Sequence, residues 1–85
     1  MLFLNIGFGN LVNKNQILSM ITPDSAPAKR LMQKAKEEGR LVDATQGRKT
    51  RCVIICLNGS LILSALHPET IAGRERGGEG AEDEA

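Results

Sequence analysis

Two apolar segments joined by Asn58-Gly59 constrain the fold of this chain more than any other feature. Arg51–Leu57 and Ser60–Leu66 each have the length and the Val, Ile and Leu content of a buried strand. Asn-Gly favours the tight turn between two antiparallel strands, so the sequence predicts a β-hairpin here. We expect a two-residue turn, which would pair Ile55 with Ile62 and Cys52 with Ala65.

Alternation along these strands assigns their side chains to two faces. The first face is apolar throughout and is expected to pack beneath a helix: Cys52, Ile54, Cys56, Leu61, Leu63 and Ala65. The second face is too apolar to remain in water, and one helix cannot cover both sides of a sheet. The sequence therefore predicts that a second subunit covers it, with an oligomer interface formed by Val53, Ile55, Leu57, Ile62 and Leu66.

The rest of the chain predicts one principal helix and several short strands. Asp24 or Ser25 can cap the helix, and Gly39 can end it. Between them, apolar residues recur at the spacing of one helical face: Ala28, Leu31, Met32 and Ala35. Further strands are predicted at Met1–Ile6, 17–21 and Arg40–Asp43, with a single helical turn at 67–70. These elements predict a small α+β fold with a mainly antiparallel sheet.

Charge divides the 85 residues into two parts. Residues 1–74 hold ten Lys and Arg against five Asp and Glu, a net charge of +5. Residues 75–85 hold one Arg against five acids, a net charge of −4, with three glycines and no large apolar side chain. We therefore expect one basic domain over 1–74 and a disordered acidic tail over 75–85. The tail is interpreted as an aid to solubility, or alternatively as a tethered competitor for the basic surface.

Residues with catalytic or metal-binding chemistry are few and unsuitably spaced. Cys52 and Cys56 lie about 13 Å apart on one strand, beyond disulfide reach and unlike a zinc motif, so buried structural thiols are expected. His67 has no candidate nucleophile or metal ligand near it in sequence. We expect no enzyme, metal, cofactor or small-molecule substrate, unless a site is assembled between subunits.

The aromatic content and the hydropathy pattern argue against two classes of binding partner, namely single-stranded or RNA bases and membranes. The chain has two Phe and no Tyr or Trp, which argues against the platforms that stack single-stranded or RNA bases. Its longest apolar run, Cys52–Leu57, is far shorter than a membrane span, and the N-terminal run lacks the pattern of a signal peptide. We expect a cytoplasmic protein without a membrane partner.

The strongest candidate site is the segment Gln46–Arg51, which places three cations within four residues after a glycine. Arg48, Lys49 and Arg51 can present their charges, together with loop amides, to one phosphate path. A monomer with so few cations would bind nucleic acid weakly. Repetition around an oligomer would multiply the phosphate contacts.

Five segments resemble the RemA family of extracellular matrix regulatory proteins, and the resemblance extends over residues 1–74. They are NIGFGN at 5–10, VNKN at 12–15, TPDSAPAKR at 22–30, GRLVDATQGRKTR at 39–51 and HPETIAGR at 67–74. The resemblance implies a fold similar to the LytTR type of DNA-binding domain, assembled into a homo-oligomeric ring. It also implies a non-enzymatic transcription regulator that binds duplex DNA, controls biofilm matrix genes and is associated with the nucleoid.

The resemblance implies that three cations contact DNA, namely Arg48, Lys49 and Arg51. Lys49 lies at a position where the resemblance indicates that relatives often have Arg. Relatives commonly follow VNKN with an arginine associated with DNA contact, but this chain has Gln16 there, and Lys14 is the nearest cation. Two alternatives remain: an oligomeric scaffold whose basic loops bind acidic proteins, and an RNA-binding protein.

Overall fold

A four-stranded mixed sheet forms the centre of the computed structural model, which describes residues 2–77, with side chains described through Arg74. The strands are β1 (Phe3–Asn5), β2 (Leu11–Asn13), β3 (Ile17–Ile21), β4 (Leu41–Asp43), β5 (Cys52–Cys56) and β6 (Leu61–Ser64). The helices are α1 (Ala26–Glu37) and α2 (Pro68–Gly77), with a 3-10 turn at Lys14–Gln16. The sheet order is β3-β5-β6-β4, and β1 pairs separately with β2. The predicted α+β class is confirmed.

The β5–β6 hairpin exists, but its turn has three residues rather than two. The Cys56 amide donates to the Ser60 carbonyl at 2.9 Å, and the Gly59 amide donates to the Cys56 carbonyl at 3.0 Å. Gly59 has a φ of 92°, as required of the last residue in a three-residue hairpin loop. The predicted pairs Ile55–Ile62 and Cys52–Ala65 are therefore wrong by one residue; Ile55 faces Leu61 and Cys52 faces Ser64.

The one-residue shift exchanges the two faces of β6 relative to β5. The face beneath α1 contains Val53, Leu61 and Leu63, packed against Ala35 and Met32. The prediction for this face was thus right for Leu61 and Leu63, and wrong for the β5 residues. The opposite face carries one cluster, which the β1–β2 hairpin and α2 cover. Its buried residues are Leu4, Ile6, Val12, Ala44, Cys52, Ile54, Cys56 and Ile71.

Both faces of the sheet are therefore covered within one chain, and the argument that a second subunit must cover one of them is wrong. The predicted interface residues also lie on different faces. Val53 is completely buried beneath α1, and half-buried Ile55 packs beside it. Half-buried Ile62 and Leu66 pack into the other cluster. Of the five, only Leu57 is exposed.

Helix α1 begins and ends as its sequence predicts. The Ser25 hydroxyl accepts a hydrogen bond from the Ala28 amide at 3.2 Å, so Ser25 is the N-cap. At the other end, Gly39 has a φ of 74°. Ala28 and Ala35 are fully buried, which lets the helix approach the sheet closely, whereas Leu31, predicted on the same face, is 42% exposed.

Two elements differ from the sequence-based expectation. Strand β2 forms from residues 11–13, which the sequence analysis does not predict as a strand, by pairing antiparallel with β1. Helix α2 continues to Gly77 rather than ending after one turn, and it buries Ile71. The predicted domain boundary after residue 74 therefore falls inside this helix. Residues 78–85, the rest of the predicted acidic tail, lie outside the described residues. Neither helix in the described part of the chain has the length and apolar character of a membrane span.

Candidate nucleic-acid interface

The basic loop, residues 44–51, begins with a turn that Asp43 holds. Its Oδ1 accepts hydrogen bonds from the Thr45 hydroxyl at 2.6 Å and the Thr45 amide at 2.9 Å. The hydroxyl bond and then the amide bond lower the pKa of Asp43 below its ordinary value, against a smaller opposing effect of desolvation. Because Thr45 is almost fully buried, these bonds anchor the exposed part of the loop to the domain.

A second tight turn follows and leads directly to the cations. The Arg48 amide donates to the Thr45 carbonyl at 3.0 Å, with Gln46 and Gly47 at the centre of the turn. Both central residues have positive φ, 55° and 80°, which is the pattern of a type I′ turn. Arg48, Lys49 and Arg51 emerge from this turn with exposed side chains.

The turn between β1 and β2 lies beside the basic loop. It is closed by hydrogen bonds from the Asn10 amide to the Gly7 carbonyl at 3.0 Å and from the Gly7 amide to Asn5 Oδ1 at 2.8 Å. A Cβ at Gly7 would come within 3.3 Å of Leu66, so this close approach favours glycine. Phe8 follows with a φ of 56°, uncommon for a bulky residue.

Ser64 connects these two segments through its side chain and its main chain. Its buried hydroxyl donates to the Ile6 carbonyl at 2.8 Å and accepts from the Leu66 amide at 3.0 Å. Its carbonyl accepts from the Arg51 amide at 2.9 Å. The guanidinium carbon of Arg48 lies 5.8 Å from the centroid of the Phe8 ring. Residues 6–10 and 44–51 thus form one surface, which we name the basic end.

Lys14 and Gln16 do not belong to the basic end. The Gln16 carbonyl accepts from the Leu57 amide at 2.8 Å, which places the 3-10 turn beside the β5–β6 loop. We name residues 14–16 and 57–59 the hairpin end. Arg51 and Leu57 lie six residues apart along the extended chain that contains β5, so the two ends lie about 20 Å apart. The structure therefore brings together Arg48, Lys49 and Arg51, and separates them from Lys14 and Gln16.

Phe8 is the residue at this site that the sequence analysis did not identify. It is 40 positions from Arg48, and nothing in the spacing of the two residues indicates a contact. The available signal was the pair of glycines around one of the chain's two aromatic residues. Such a pair predicts a turn, but it does not indicate what the ring contacts.

The thiols and the histidine have structural surroundings. Cys52 and Cys56 are confirmed as buried free thiols, and burial raises both pKa values, that of Cys52 to about 11. His67 lies at the start of α2, where its Nδ1 accepts from the Glu69 amide at 3.2 Å. Among residues 2–77, no three His, Cys, Asp or Glu side chains are grouped so that they could hold a metal ion.

The fold and this surface define a small α+β protein in which one loop presents three exposed cations at one end of the sheet, beside a second loop that contributes Phe8. Residues 3–74 match the model of a protein family described as RemA-like, "Extracellular matrix regulatory protein A-like". The chain belongs to the RemA-like family. The resemblance indicated by the sequence segments is therefore confirmed.

Three named relatives align with 84% to 99% of this chain. A protein from Dictyoglomus turgidum is 53% identical over 98% of this chain and 98% of its own length. One from Desulfitobacterium hafniense is 56% identical over 84% of this chain and 78% of its own length. One from Geobacillus thermodenitrificans is 50% identical over 99% and 97%. Each carries the name "Putative regulatory protein".

Proposed function

We propose that this protein is a non-enzymatic transcription regulator that binds duplex DNA through its basic end. In this proposal it acts as a homo-oligomeric ring at the nucleoid and controls biofilm matrix-type genes, with a fold similar to LytTR-type domains. The observation that carries the proposal is the convergence of Arg48, Lys49 and Arg51 on one anchored, exposed surface. Its regulatory part is supported by family membership and by the names of the relatives.

The chemistry of the basic end suits phosphate groups. Arginine presents several N–H donors in a planar fork that matches phosphate oxygens, and lysine adds a point charge. Phosphate contacts fix position on the duplex but do not distinguish bases. We therefore propose that sequence preference arises from the shape and deformability of the DNA, which bends or wraps along the ring.

The ring-shaped oligomer remains a proposal, because the sheet is covered within one chain and does not require a second subunit. Its support is the family resemblance together with apolar side chains that stay at the surface. Leu57 is 58% exposed and Leu18 is 65% exposed, and both adjoin the Ile17–Cys56 pair where β3 meets β5. Leu57 is thus the predicted interface residue that could contact another subunit. Lys14 and Gln16 of one subunit would approach a neighbour's basic end only in such an assembly.

The test compares duplex binding by two variants, one that lacks two cations of the basic end and one that lacks two cations elsewhere. Arg48→Ala with Lys49→Ala is expected to abolish most retardation of duplex DNA while leaving the sedimentation coefficient unchanged. The matched control is Lys29→Ala with Lys36→Ala, which removes two exposed cations from α1 and is expected to retain most binding. Normal binding by the first double variant would contradict the site. Stronger binding of structured RNA than of duplex DNA would favour the RNA alternative, and no duplex binding at all would favour a scaffold for acidic proteins.

The oligomer has a separate test. Leu57→Asp is expected to yield smaller species by sedimentation with an unchanged circular dichroism spectrum, because the side chain lies outside both core clusters. Ile55→Asp and Ile62→Asp would also disturb the folded chain, since both side chains pack against a core cluster. An unchanged assembly in the Leu57 variant would exclude this residue from the interface.

A further inference from the structure

Phe8 combines an uncommon backbone conformation with a side chain that the core does not need. Its φ of 56° lies in the left-handed region, which bulky residues occupy infrequently. The ring is half-buried, and it belongs to neither of the two core clusters. Residues held in such a conformation cluster at functional sites, so the observed outlier calls for an explanation at the surface.

The turn around Phe8 is held by its neighbours rather than by the ring. Asn5 and Asn10 both bond to the main chain of Gly7, and Gly7 packs closely against Leu66. Ser64 fixes the preceding residue, Ile6, from β6. These contacts point the Phe8 side chain towards the basic loop and leave its ring available to another group.

The group that uses the ring is Arg48. Its guanidinium carbon lies 5.8 Å from the ring centroid, within the range of a cation–π contact. Arginine is long and flexible, so an unsupported side chain loses considerable conformational freedom when it binds a phosphate. An aromatic face restricts the guanidinium before binding, does not neutralise its charge and leaves its N–H edge for an anion.

We propose that Phe8 is a positioning residue, which holds the guanidinium of Arg48 ready for the phosphate backbone of duplex DNA. This inference rests on the proposed function of the basic end. In this proposal Phe8 acts only through Arg48. Phe8 itself contacts no base and provides no surface on which a base stacks. Loss of the ring is therefore expected to matter only while Arg48 is present.

The test is a double-mutant cycle read out as the dissociation constant for random duplex DNA at fixed salt. Phe8→Leu keeps an apolar side chain without the ring, and Phe8→Asn suits the positive φ, so the two variants separate ring loss from a distorted turn. Each is expected to weaken binding roughly two- to fivefold, the effect of an exposed cation–π contact. Phe8→Tyr is expected to bind normally.

The same Phe8 substitution in two arginine variants tests whether the aromatic ring acts through Arg48. In Arg48→Gln, the further change Phe8→Leu is expected to have no effect; in Arg51→Gln, it is expected to weaken binding by the same factor as in the natural sequence. A twofold or larger loss in the Arg48→Gln background, or normal binding by both Phe8→Leu and Phe8→Asn, would overturn the positioning role and leave the proposed function intact. Failure of the unaltered protein to bind duplex DNA would overturn both.

Discussion

Arg40 and Arg48 lie towards opposite ends of the sheet and are held in different ways. Arg40 pairs with the Glu38 carboxylate at 2.7 Å and donates to the Gly59 carbonyl, which joins the end of α1 to the β5–β6 loop. Arg48 instead lies against the Phe8 ring. A carboxylate neutralises the charge of an arginine and uses the side chain to stabilise the fold. An aromatic ring restricts the guanidinium but leaves its charge available to another anion. Under the proposed function, this difference in partner, more than a difference in exposure, separates the arginine that serves the fold from the arginine that binds DNA.

The two ends also differ in the kind of bond that joins their segments. At the hairpin end it is a main-chain bond, from the Leu57 amide to the Gln16 carbonyl at 2.8 Å. At the basic end it is a side-chain bond, from the buried Ser64 hydroxyl to the Ile6 carbonyl at 2.8 Å. A single side chain therefore holds the turn around Phe8 in place. Such preorganisation reduces the entropic cost of binding an anion.

The largest effect is expected from removing the connection between the two segments of the basic end. Ser64→Ala leaves the Ile6 carbonyl and the Leu66 amide without a buried hydroxyl, which should lower the free energy of unfolding by about 1–3 kcal/mol. Urea denaturation measures this change. Ser60→Ala, immediately before the same strand and near the hairpin end, is the control and is expected to change stability by less than about 0.5 kcal/mol. Equal losses would remove the distinction between the two ends.

A smaller effect is expected from adding a cation to the hairpin end. Gln16→Arg introduces the arginine that the family resemblance implies at this position. It should raise duplex affinity several-fold, with a salt slope steeper by about 0.9 for each added phosphate contact. Fluorescence anisotropy titrations at several salt concentrations measure both quantities. Gln33→Arg adds the same charge to α1 and should have less effect; equal gains would show that position does not matter.

The smallest effect concerns the Asp43 turn that anchors the basic loop. Because Thr45 lowers the pKa of Asp43, its carboxylate stabilises the fold above pH about 4, and this contribution is lost as pH falls through the folded-state pKa. The amide proton of Thr45 should therefore shift in NMR spectra over that acidic range, and Asp43→Asn should abolish the shift. An unchanged titration in the Asn variant would assign the transition to another group.

Local patterns predicted much of the fold but little of the site's construction. Ser25 and Gly39 were identified as the ends of α1, because capping is decided by nearby residues. The hairpin was predicted with the wrong register, since Gly59 suits both a two-residue turn and a three-residue loop. The Phe8–Arg48 contact could not be predicted, because the tertiary fold brings together turns that are far apart in sequence.

The central claim is that Arg48 meets phosphate groups while Arg40 serves the fold. The most direct measurement is the slope of log affinity for duplex DNA against log salt concentration, compared among the unaltered protein, Arg48→Ala and Arg40→Ala. Arg48→Ala is expected to reduce the slope by about 0.9 for each basic end in contact with the duplex. Arg40→Ala is expected to leave the slope nearly unchanged and to lower the free energy of unfolding by about 1 kcal/mol. Equal slopes for the unaltered protein and Arg48→Ala would contradict the phosphate contact of Arg48.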